Sequence, residues 1–567
     1  MLYIDFLKNN ISSELKLLEK NNFFSNTPNF NFSVENIPNQ IFGEVSSNVA
    51  MINAKNINTN LFDLAEKIKK KLLCKNEFKK IEIIKPGFIN FTFTLEYWHK
   101  QLCLFASKSL KSFYTAKKKK KINIEFVSAN PTGLMHIGHA RGAVLGDVLA
   151  SILQSVGHDV VREYYINDAG NQISSLMNTI YYHLNIDSGK RVTKDKIYPG
   201  DYLKEISKRI AKKFKNFDTK YNYIEIKREV IKIILDDIRS DLRDLSINHD
   251  NFVSENSLLS KVDVKKFISY LKEQDLIYEG FQDPPKGIES KNWKKQKQLL
   301  FKSKESGDDS DRALIKPDGE ITYFMSDIIY HQDKLNRNYD SILNIWGADH
   351  HGYVFRIKNA VKYLSKENPS FEILLTALVN LIKNKRPIKM SKRKGDYITL
   401  KQVLKEVGKD AIRSMMISRS HDKVIDFDFD LVKEKTKDNQ VFYVKYAYVR
   451  CASIKRSTKN ILNKGSCNIS FLKLKEEINL IKKLVNYSFV IRKCAESLEP
   501  HRLTNYLYEL SKQFHNYWSL GNIDYTKKIV ISNNKELTNA RLYLINNIQI
   551  ILKDGLDILK IEAPEEM

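Results

Sequence analysis

Two histidines and a glycine are spaced for contact with phosphate at a predicted turn between a strand and a helix. The run Met135-His136-Ile137-Gly138-His139 opens a long helical pattern. A helix N-terminus offers unpaired N–H groups and a partial positive charge, which suit a phosphate, and Gly138 lets a ligand approach the backbone. Two other interpretations of these residues stay open. They are a histidine cap on the helix and a metal pair, although H-x-x-H alone lacks a third ligand.

A second group of charges lies far downstream. The run Lys389-Met390-Ser391-Lys392-Arg393-Lys394-Gly395-Asp396 places several cations close together and ends near a glycine. Taken alone, such a run is more often a solvated surface than a binding site. Because it accompanies the histidine run, we interpret it as a mobile loop that binds phosphate.

Both runs require elements that position them, and the surrounding chain predicts these elements. Ile122–Val127 has the pattern of a short strand, the helical pattern continues to about Val156, and His158–Ile166 has the pattern of a second strand. A strand, a helix and a strand in this order predict a βαβ unit and a parallel sheet. Upstream, Leu61–Leu72 has helical spacing, and Lys80–Phe93 reads as two strands around a turn;. From residue 401 onward the pattern is almost wholly helical.

Composition and charge exclude several classes of protein. The 567 residues are 42% hydrophobic and 28% charged, which is typical of a multidomain globular protein;. Neither a membrane-spanning run nor a secretory signal is evident, and the five cysteines are scattered, so we expect a cytoplasmic protein without a disulfide framework;. The net charge of +26 favours a nucleic acid as partner, with an anionic membrane as second choice, although a lysine-rich codon bias would give the same charge;.

The two runs, in this order, resemble the HIGH and KMSK signatures of class I aminoacyl-tRNA synthetases. Further blocks narrow the resemblance to the arginyl-tRNA synthetase family. These blocks are Phe126–Arg141, Glu163–Ile173, Asp318–His331, Trp346–Tyr353 and Gly555–Met567. The resemblance spans nearly the whole chain and is weakest over residues 1–35 and 190–250.

The resemblance implies a multidomain α/β protein. Residues 1–116 would form an N-terminal α/β appended domain that contacts tRNA. Residues 117–400 would form a Rossmann-like catalytic domain with a parallel sheet and a helical insertion over about 190–300. Residues 401–567 would form an all-α anticodon-binding domain of the DALR type. The chain departs from the family at Asn439-Gln440, where Asn-Pro is usual, and we expect a slightly altered start of that helix. Lys286–Ser306 also matches the family poorly.

The resemblance also implies an activity, the ATP-dependent ligation of L-arginine to tRNA(Arg) through arginyl-adenylate, with AMP and pyrophosphate as products. ATP would act with Mg²⁺, and we expect no structural metal in the protein. Catalysis would consist mostly of positioning and charge stabilisation. The catalytic residues would be His136, His139, Lys389 and Lys392, and the ATP site would also include Gly133, Gly138, Met390 and Ser391.

The resemblance further assigns the arginine pocket. A guanidinium pairs best with carboxylates, and the family places Glu255 and Asp327 at this group, with Tyr323 beside them. It places Glu125 and Asn130 at the α-amino and carboxylate end, and His350 along the pocket. Because unpaired buried carboxylates would reject most other amino acids, we predict no editing domain. We also expect that the terminal adenosine of the tRNA completes the pocket before arginine is activated.

Contacts with tRNA are expected in the C-terminal domain. Tyr443, Tyr446 and Arg450 fall on one helical face and suit stacking on splayed anticodon bases;. A core aromatic stripe is the alternative interpretation of this face. The resemblance implies a monomer.

Three other functions share some of these sequence features. A different class I ligase or a nucleotidylyltransferase would share the histidine signature, but the helical tail, Glu255 and Asp327 argue against it. A non-catalytic RNA-binding paralogue would usually have damaged phosphate motifs, and here they are present. A metal-dependent phosphoesterase, suggested by Asp349-His350-His351, would need further ligand residues that the sequence does not offer;.

Overall fold

The computed structural model describes residues 1–21, 23, 26–38, 40–56, 60–184, 198, 200–214, 222–281, 296–304, 308–365, 369–388, 398–458 and 467–567. The chain begins with a mixed α/β part, continues around a parallel sheet, and ends in long helices. This order agrees with the predicted fold class. None of the helices in these ranges is long and apolar enough to span a membrane.

The N-terminal part is an antiparallel sheet covered by helices. Its elements are α1 (Tyr3–Lys20), β1 (Val34–Asn36), β2 (Val45–Ser47), α2 (Val49–Asn56), α3 (Leu61–Leu72), β3 (Phe78–Ile84), β4 (Phe88–Phe93), α4 (Leu95–Ala106) and α5 (Lys111–Tyr114). The strand order is β1-β2-β4-β3. The predicted helix and the predicted pair of strands are confirmed at α3, β3 and β4. The spacing of α3 buries Leu64, Ile68 and Leu72 on one face and leaves its lysines outside;.

The central part is built on a parallel sheet. It begins with β5 (Lys121–Glu125), α6 (Ile137–Ser155), β6 (Asp159–Ile166) and α7 (Gly170–His183). The predicted βαβ unit is therefore confirmed at β5, α6 and β6, whose strands pair in parallel. Strands of such a sheet end at one edge, where loops gather ligand-binding residues.

The segment over about 190–300, expected to be helical, also contains strands. Its described elements are α8 (Asp201–Lys213), α9 (Tyr223–Asp244), β7 (Asn251–Ser254), α10 (Glu255–Lys261), α11 (Val264–Glu273), β8 (Ile277–Phe281) and β9 (Lys297–Phe301). Strand β7 joins the parallel sheet beside β6, while β8 and β9 pair with each other. The helical expectation missed β7 because a strand of four half-buried residues gives little periodicity;.

The rest of the central part completes both sheets. It comprises β10 (Arg312–Ala313), α12 (Tyr323–Asn336), β11 (Ser341–Gly347), α13 (His351–Leu364), β12 (Ser370–Thr376), β13 (Val379–Lys383) and β14 (Arg386–Ile388). With these strands, the order of the parallel sheet is β12-β11-β5-β6-β7. Strand β10 pairs with β9, and β13 pairs with β14.

The C-terminal part is dominated by helices. Its elements are α14 (Leu400–Val407), α15 (Lys409–Met416), β15 (Ile425–Asp428), α16 (Gln440–Ser457), α17 (Lys475–Ser497), α18 (His501–Ile523) and α19 (Lys535–Ile558). The long helices α16 to α19 agree with the helical prediction. Strand β15 departs from it, since it pairs in parallel with β13. The alternation of buried Ile425 and Phe427 with two aspartates is too short to stand out against a helical background;.

A buried charge cluster ties the C-terminal part to α6. Asp147 of α6 pairs with Arg413 of α15 at 2.8 Å, with Lys560 at 2.6 Å and with Arg162 of β6 at 3.3 Å. Burial alone would raise the pKa of Asp147, but the three cations outweigh it and lower the pKa. Because α6 begins at the histidine turn, the C-terminal part is held against the helix that presents that turn.

Candidate active site

The predicted phosphate-binding turn lies between β5 and α6. His136 is the N-cap of α6, and its Nδ1 accepts the Gly138 N–H at 3.1 Å. The His139 Nδ1 accepts the His136 N–H at 3.2 Å, and the two rings stack with centroids 3.8 Å apart. A Cβ on Gly138 would lie 3.0 Å from the His136 ring, so a larger residue at this position would require that ring to shift slightly.

The helix-cap interpretation of the histidines therefore describes their hydrogen bonds, and it is compatible with phosphate binding. In a neutral imidazole whose Nδ1 accepts a hydrogen bond, the proton is on Nε2, which is then a donor. Both rings thus cap the helix through Nδ1 and carry a donor on the opposite edge. For the metal interpretation, no group of three or more His, Cys, Asp or Glu residues that could hold a metal ion occurs in the described ranges.

The loop before the turn is held by α8. The Tyr202 hydroxyl donates to the Thr132 carbonyl at 2.5 Å and lies 3.3 Å from the position of a Cβ on Gly133. Gly133, predicted to be part of the ATP site, is therefore covered on one side by a tyrosine from the segment whose match to the family was weakest.

The second predicted phosphate run lies outside the described residues, namely Lys389, Met390, Ser391 and Lys392. Its downstream flank returns to the histidine turn. The Leu400 N–H donates to the Met135 carbonyl at 2.9 Å, and Thr399 pairs with His136 in an isolated β-bridge. The chain on the C-terminal side of this run thus begins α14 directly beside the histidines.

Two acidic side chains from different elements lie near the carboxyl edge of the parallel sheet. Glu255 is the first residue of α10, directly after β7, and is 4% exposed. Its Oε2 has no hydrogen-bond partner in the described part of the chain. Burial raises the pKa of Glu255, and hydrogen bonds from Ser326 and Tyr165 partly offset this effect. Such a buried acceptor suits a cationic donor from a ligand.

Asp327 of α12 is the other acidic side chain. Its Oδ2 accepts the Tyr353 hydroxyl at 2.6 Å. Burial is the main reason that the pKa of Asp327 is raised to about 7. The hydrogen bond from Tyr353 and the charge of Lys334 lower this pKa, and the charges of Glu125 and Glu255 raise it. Two acids with raised pKa values near one another are typical of a functional site.

A cleft of about 420 Å³ opens beside Glu255. Tyr323, the first residue of α12, lines it with a half-exposed ring, and Ser326 lines it one turn later. Gly170 at the start of α7 forms the opposite side, where a Cβ would lie 3.0 Å from the Tyr323 hydroxyl. The predicted residues Glu255 and Tyr323 therefore share one cleft.

The remaining predicted arginine residues lie at three places. Glu125, the last residue of β5, is buried, and it accepts hydrogen bonds from Lys334 Nζ at 2.6 Å and from Ser128 Oγ at 3.0 Å. Asn130 is exposed and donates to Gln172 at 2.9 Å. His350 is exposed in a short turn before α13, with its ring 5.9 Å from that of Trp346. None of these three residues lines the cleft beside Glu255.

Sequence reasoning missed two residues at this site. Tyr353 is part of the family block Trp346–Tyr353, but no function was predicted for it. Lys334 is a fully buried lysine on α12, and it lies outside the family blocks. The signal for Lys334 was its position on the helix that also carries Tyr323 and Asp327, since residues at helical spacing share a face. The sequence offers no signal for its partner.

The predicted tRNA-contacting face of α16 is an aromatic cluster around one arginine. The Arg450 guanidinium lies 4.5 Å above the Tyr446 ring and 5.2 Å above the Trp518 ring. Tyr446 is 38% exposed, whereas Tyr443 is partly buried against His515, with centroids 4.5 Å apart. The exposed ring of Tyr446 is therefore available for stacking on a base. The partly buried ring of Tyr443 fits the alternative, an aromatic stripe in the core, at least in part. At the start of this helix, Asn439 caps the Phe442 N–H, and α16 begins at Gln440.

Comparisons with known proteins agree along the whole chain. Three family models match: the arginyl tRNA synthetase N terminal domain over residues 5–93, the class I (R) tRNA synthetase catalytic domain over residues 103–463, and the DALR anticodon binding domain over residues 444–567. The arginine–tRNA ligase of Wolbachia pipientis wMel is 41% identical over 566 residues, covering 98% of each chain. That of Rickettsia rickettsii is 40% identical over 575 residues, covering 98% of this chain and 100% of the relative.

Solved structures show the same fold at lower identity. The Thermus thermophilus arginyl-tRNA synthetase superposes with a TM-score of 0.75 at 18% identity, covering 100% of both chains. The Plasmodium falciparum arginyl-tRNA synthetase gives a TM-score of 0.68 at 17% identity, covering 100% of this chain and 99% of the other.

Proposed function

Because the chain belongs to the arginyl-tRNA synthetase family, we propose that the site at the carboxyl edge of its parallel sheet forms arginyl-adenylate and transfers arginine to tRNA(Arg). The protein is an arginine–tRNA ligase with a class I catalytic domain. The observation that carries the assignment of the site is the position of Glu255 and Asp327, two acids with raised pKa values, at the edge where β5 leads to the histidine turn.

We propose that Glu255 and Asp327 pair with the substrate guanidinium, with Tyr323 packed beside it. Glu255 presents an acceptor without a partner in the described ranges, and Asp327 needs only to lose a proton to become a second one. The α-amino and carboxylate end of arginine would lie toward Glu125 and Asn130. His350 would line the pocket once it is occupied, from its exposed turn before α13.

For ATP, we propose that His136 and His139 donate to the phosphates from their Nε2 edges at the N-terminus of α6. Gly133 and Gly138 would leave room for the nucleotide at this turn. Lys389 and Lys392, with Met390 and Ser391 between them, would close over the pyrophosphate as it leaves, so that their charges act mainly in the transition state. Mg²⁺ would arrive with ATP and neutralise part of its phosphate charge.

We propose three domains: an appended domain over residues 1–116, a catalytic domain over residues 117–400 and an anticodon-binding domain over residues 401–567. Tyr446 and Arg450 would contact the anticodon loop, with Tyr443 behind them. The charge of +26 favours encounter with tRNA;. The enzyme would act as a monomer in the cytoplasm, where tRNA charging occurs.

The test is arginine-dependent ATP–pyrophosphate exchange by the purified protein, with and without tRNA(Arg), and with lysine as the competing amino acid. We expect exchange with arginine only when tRNA is present, because the terminal adenosine completes the pocket. Asp327→Ala and Lys392→Ala should each abolish most of the exchange, while Asp236→Ala, which removes an exposed surface acid, should not.

The outcomes separate the parts of the proposal. Exchange without tRNA would support the assignment of the site but refute the requirement that tRNA binds before arginine is activated. Full exchange by Asp327→Ala would refute the assignment of the pocket. Binding of tRNA without exchange under either condition would favour the non-catalytic paralogue.

A further inference from the structure

A row of polar side chains crosses the parallel sheet next to the proposed arginine pocket. Asn344 of β11, Glu125 of β5, Glu163 of β6 and Asn251 of β7 are register partners on successive neighbouring strands. Register partners in a sheet point to the same face. Asn344, Glu125 and Glu163 are buried, and Asn251 is partly buried. The sheet therefore buries two carboxylates side by side, which is costly unless each has a partner.

Lys334 of α12 supplies the partner of the first carboxylate. Its Nζ donates to Glu125 Oε2 at 2.6 Å and to Asn344 Oδ1 at 2.8 Å. Asn344 in turn contacts His331 Nε2 through its Nδ2 at 2.9 Å. Lys334 is 0% exposed, so its charge is compensated inside the protein rather than by water;.

The second carboxylate has its own partners. Arg337 pairs with both oxygens of Glu163, Tyr330 donates to Oε1 at 2.8 Å, and Asn251 donates to Oε2 at 2.7 Å. Burial alone would raise the pKa of Glu163, but the Arg337 hydrogen bonds, the charges of Lys334 and Arg337 and the Tyr330 hydrogen bond outweigh it and lower the pKa to about 2. This pair holds the C-terminal end of α12 on the sheet without touching Glu125.

The two pairs thus differ in what they can affect. Both anchor α12, the helix that carries Tyr323 and Asp327. Only the Lys334 pair includes a residue of the proposed arginine pocket, because Glu125 is expected at the substrate α-amino group. An α-ammonium that approaches Glu125 meets a carboxylate whose Oε2 is already fixed by Lys334 and whose Oε1 accepts from Ser128.

We infer that Lys334 is a positioning residue for arginine, which acts through Glu125 by orienting its carboxylate and compensating its charge. The inference rests on the proposed function. Without Lys334, a buried carboxylate would lack its counter-charge and would turn away from the pocket or take up a proton. Arginine would then lose its α-amino partner, while the ATP phosphates, which are bound at the histidine turn, would be affected much less.

The test measures kcat and KM for arginine and for ATP in tRNA arginylation. For Lys334→Met, we expect the arginine KM to rise at least about tenfold, as for one lost charge-assisted hydrogen bond, with the ATP KM within about twofold of the parent. Lys358→Met is the matched control, because it removes a lysine from an exposed ion pair with Glu372 and should change neither KM. Glu163→Gln weakens the other pair and should lower thermal stability with little change in the arginine KM.

The double variant Glu125→Gln/Lys334→Met keeps the test decisive if Lys334→Met alone does not fold, since it removes both charges together. If Lys334 acts through Glu125, the double variant should match Glu125→Gln within about twofold in kcat/KM for arginine. A folded double variant about tenfold or more below Glu125→Gln would overturn the inference, as would Lys334→Met with an unchanged arginine KM. A parent enzyme without arginine-dependent activity would instead refute the proposed function.

Discussion

Arginine binding should release a proton at neutral pH, and Asp327 is the group that should release it. Burial and the neighbouring charges of Glu125 and Glu255 raise its pKa to about 7. The Tyr353 hydroxyl at 2.6 Å and the Lys334 charge act in the opposite direction but do not cancel the increase. A guanidinium binds best to an ionised carboxylate. In the proposed complex Asp327 pairs with the guanidinium in its deprotonated form, which the free protein populates only in part at neutral pH.

The size of the effect follows from this pKa. At about pH 6 a carboxyl with a pKa of about 7 is ionised in about one tenth of the molecules, and at about pH 8 in about nine tenths. The apparent arginine affinity should therefore rise about tenfold, or about 1.4 kcal/mol, between these pH values. The affinity should fall as the pH is lowered, because protonated Asp327 cannot form an ion pair with the guanidinium. The raised pKa of Asp327 places this change near neutral pH.

The assay is calorimetric titration of arginine into the tRNA-bound enzyme in two buffers with different ionisation enthalpies. Near pH 6.5 the buffers should report release of more than half a proton for each arginine bound, on the order of the protonated fraction at that pH. Asp327→Asn should bind arginine more weakly and release no proton. The ATP KM over the same range serves as the control, since the proposed phosphate site does not include Asp327. Equal heats in both buffers, or an arginine affinity that does not change with pH, would refute the reasoning.

Three further predictions concern other parts of the molecule. Glu255→Gln should lower kcat/KM for arginine by about 10- to 100-fold, or about 1.5–3 kcal/mol, and should reduce the preference for arginine over lysine. Steady-state kinetics with both amino acids would measure these two effects. Asp147→Asn should destabilise the protein by about 3–5 kcal/mol in urea unfolding, because it leaves Arg413 buried without its carboxylate;, and an unchanged midpoint would contradict this. Tyr446→Ala should weaken binding of tRNA by about 1–3 kcal/mol through lost base stacking and by a similar amount at low and high salt, whereas Arg450→Ala should also reduce the salt dependence.

The sequence was informative wherever a pattern was long or a motif local. The helix α3, the strands β3 and β4 and the unit of β5, α6 and β6 were all predicted, because their apolar spacing is regular over many residues;. Strands β7 and β15 were not, since each has only four residues and gains its stability from a neighbouring strand that is distant in the chain;.

The residues of the candidate site also divide into those that a local motif predicts and those that only the folded chain brings together. The types of residues at the histidine turn and at Glu255 and Asp327 could be named in advance because the family blocks are contiguous in sequence. Their roles stay predictions, and those of Lys389 and Lys392 concern residues outside the described part of the chain. What no local pattern contains is the contact between Lys334 and Glu125, which are separated by 209 residues. That contact exists only because α12 packs against the row of polar side chains on one face of the sheet.

This placement explains why a lysine, rather than an apolar residue, is buried at position 334. An apolar side chain there would pack well against the sheet, and replacing a buried ion pair by apolar residues is often neutral or stabilising. Such a replacement would require Glu125 to be apolar as well, and in the proposed pocket Glu125 is the carboxylate that binds the substrate α-ammonium. On that proposal, the substrate requires the acid, and the acid requires the cation at Lys334. Helix α12, which also carries Asp327, thus supplies the buried counter-charge for the acid at the end of β5.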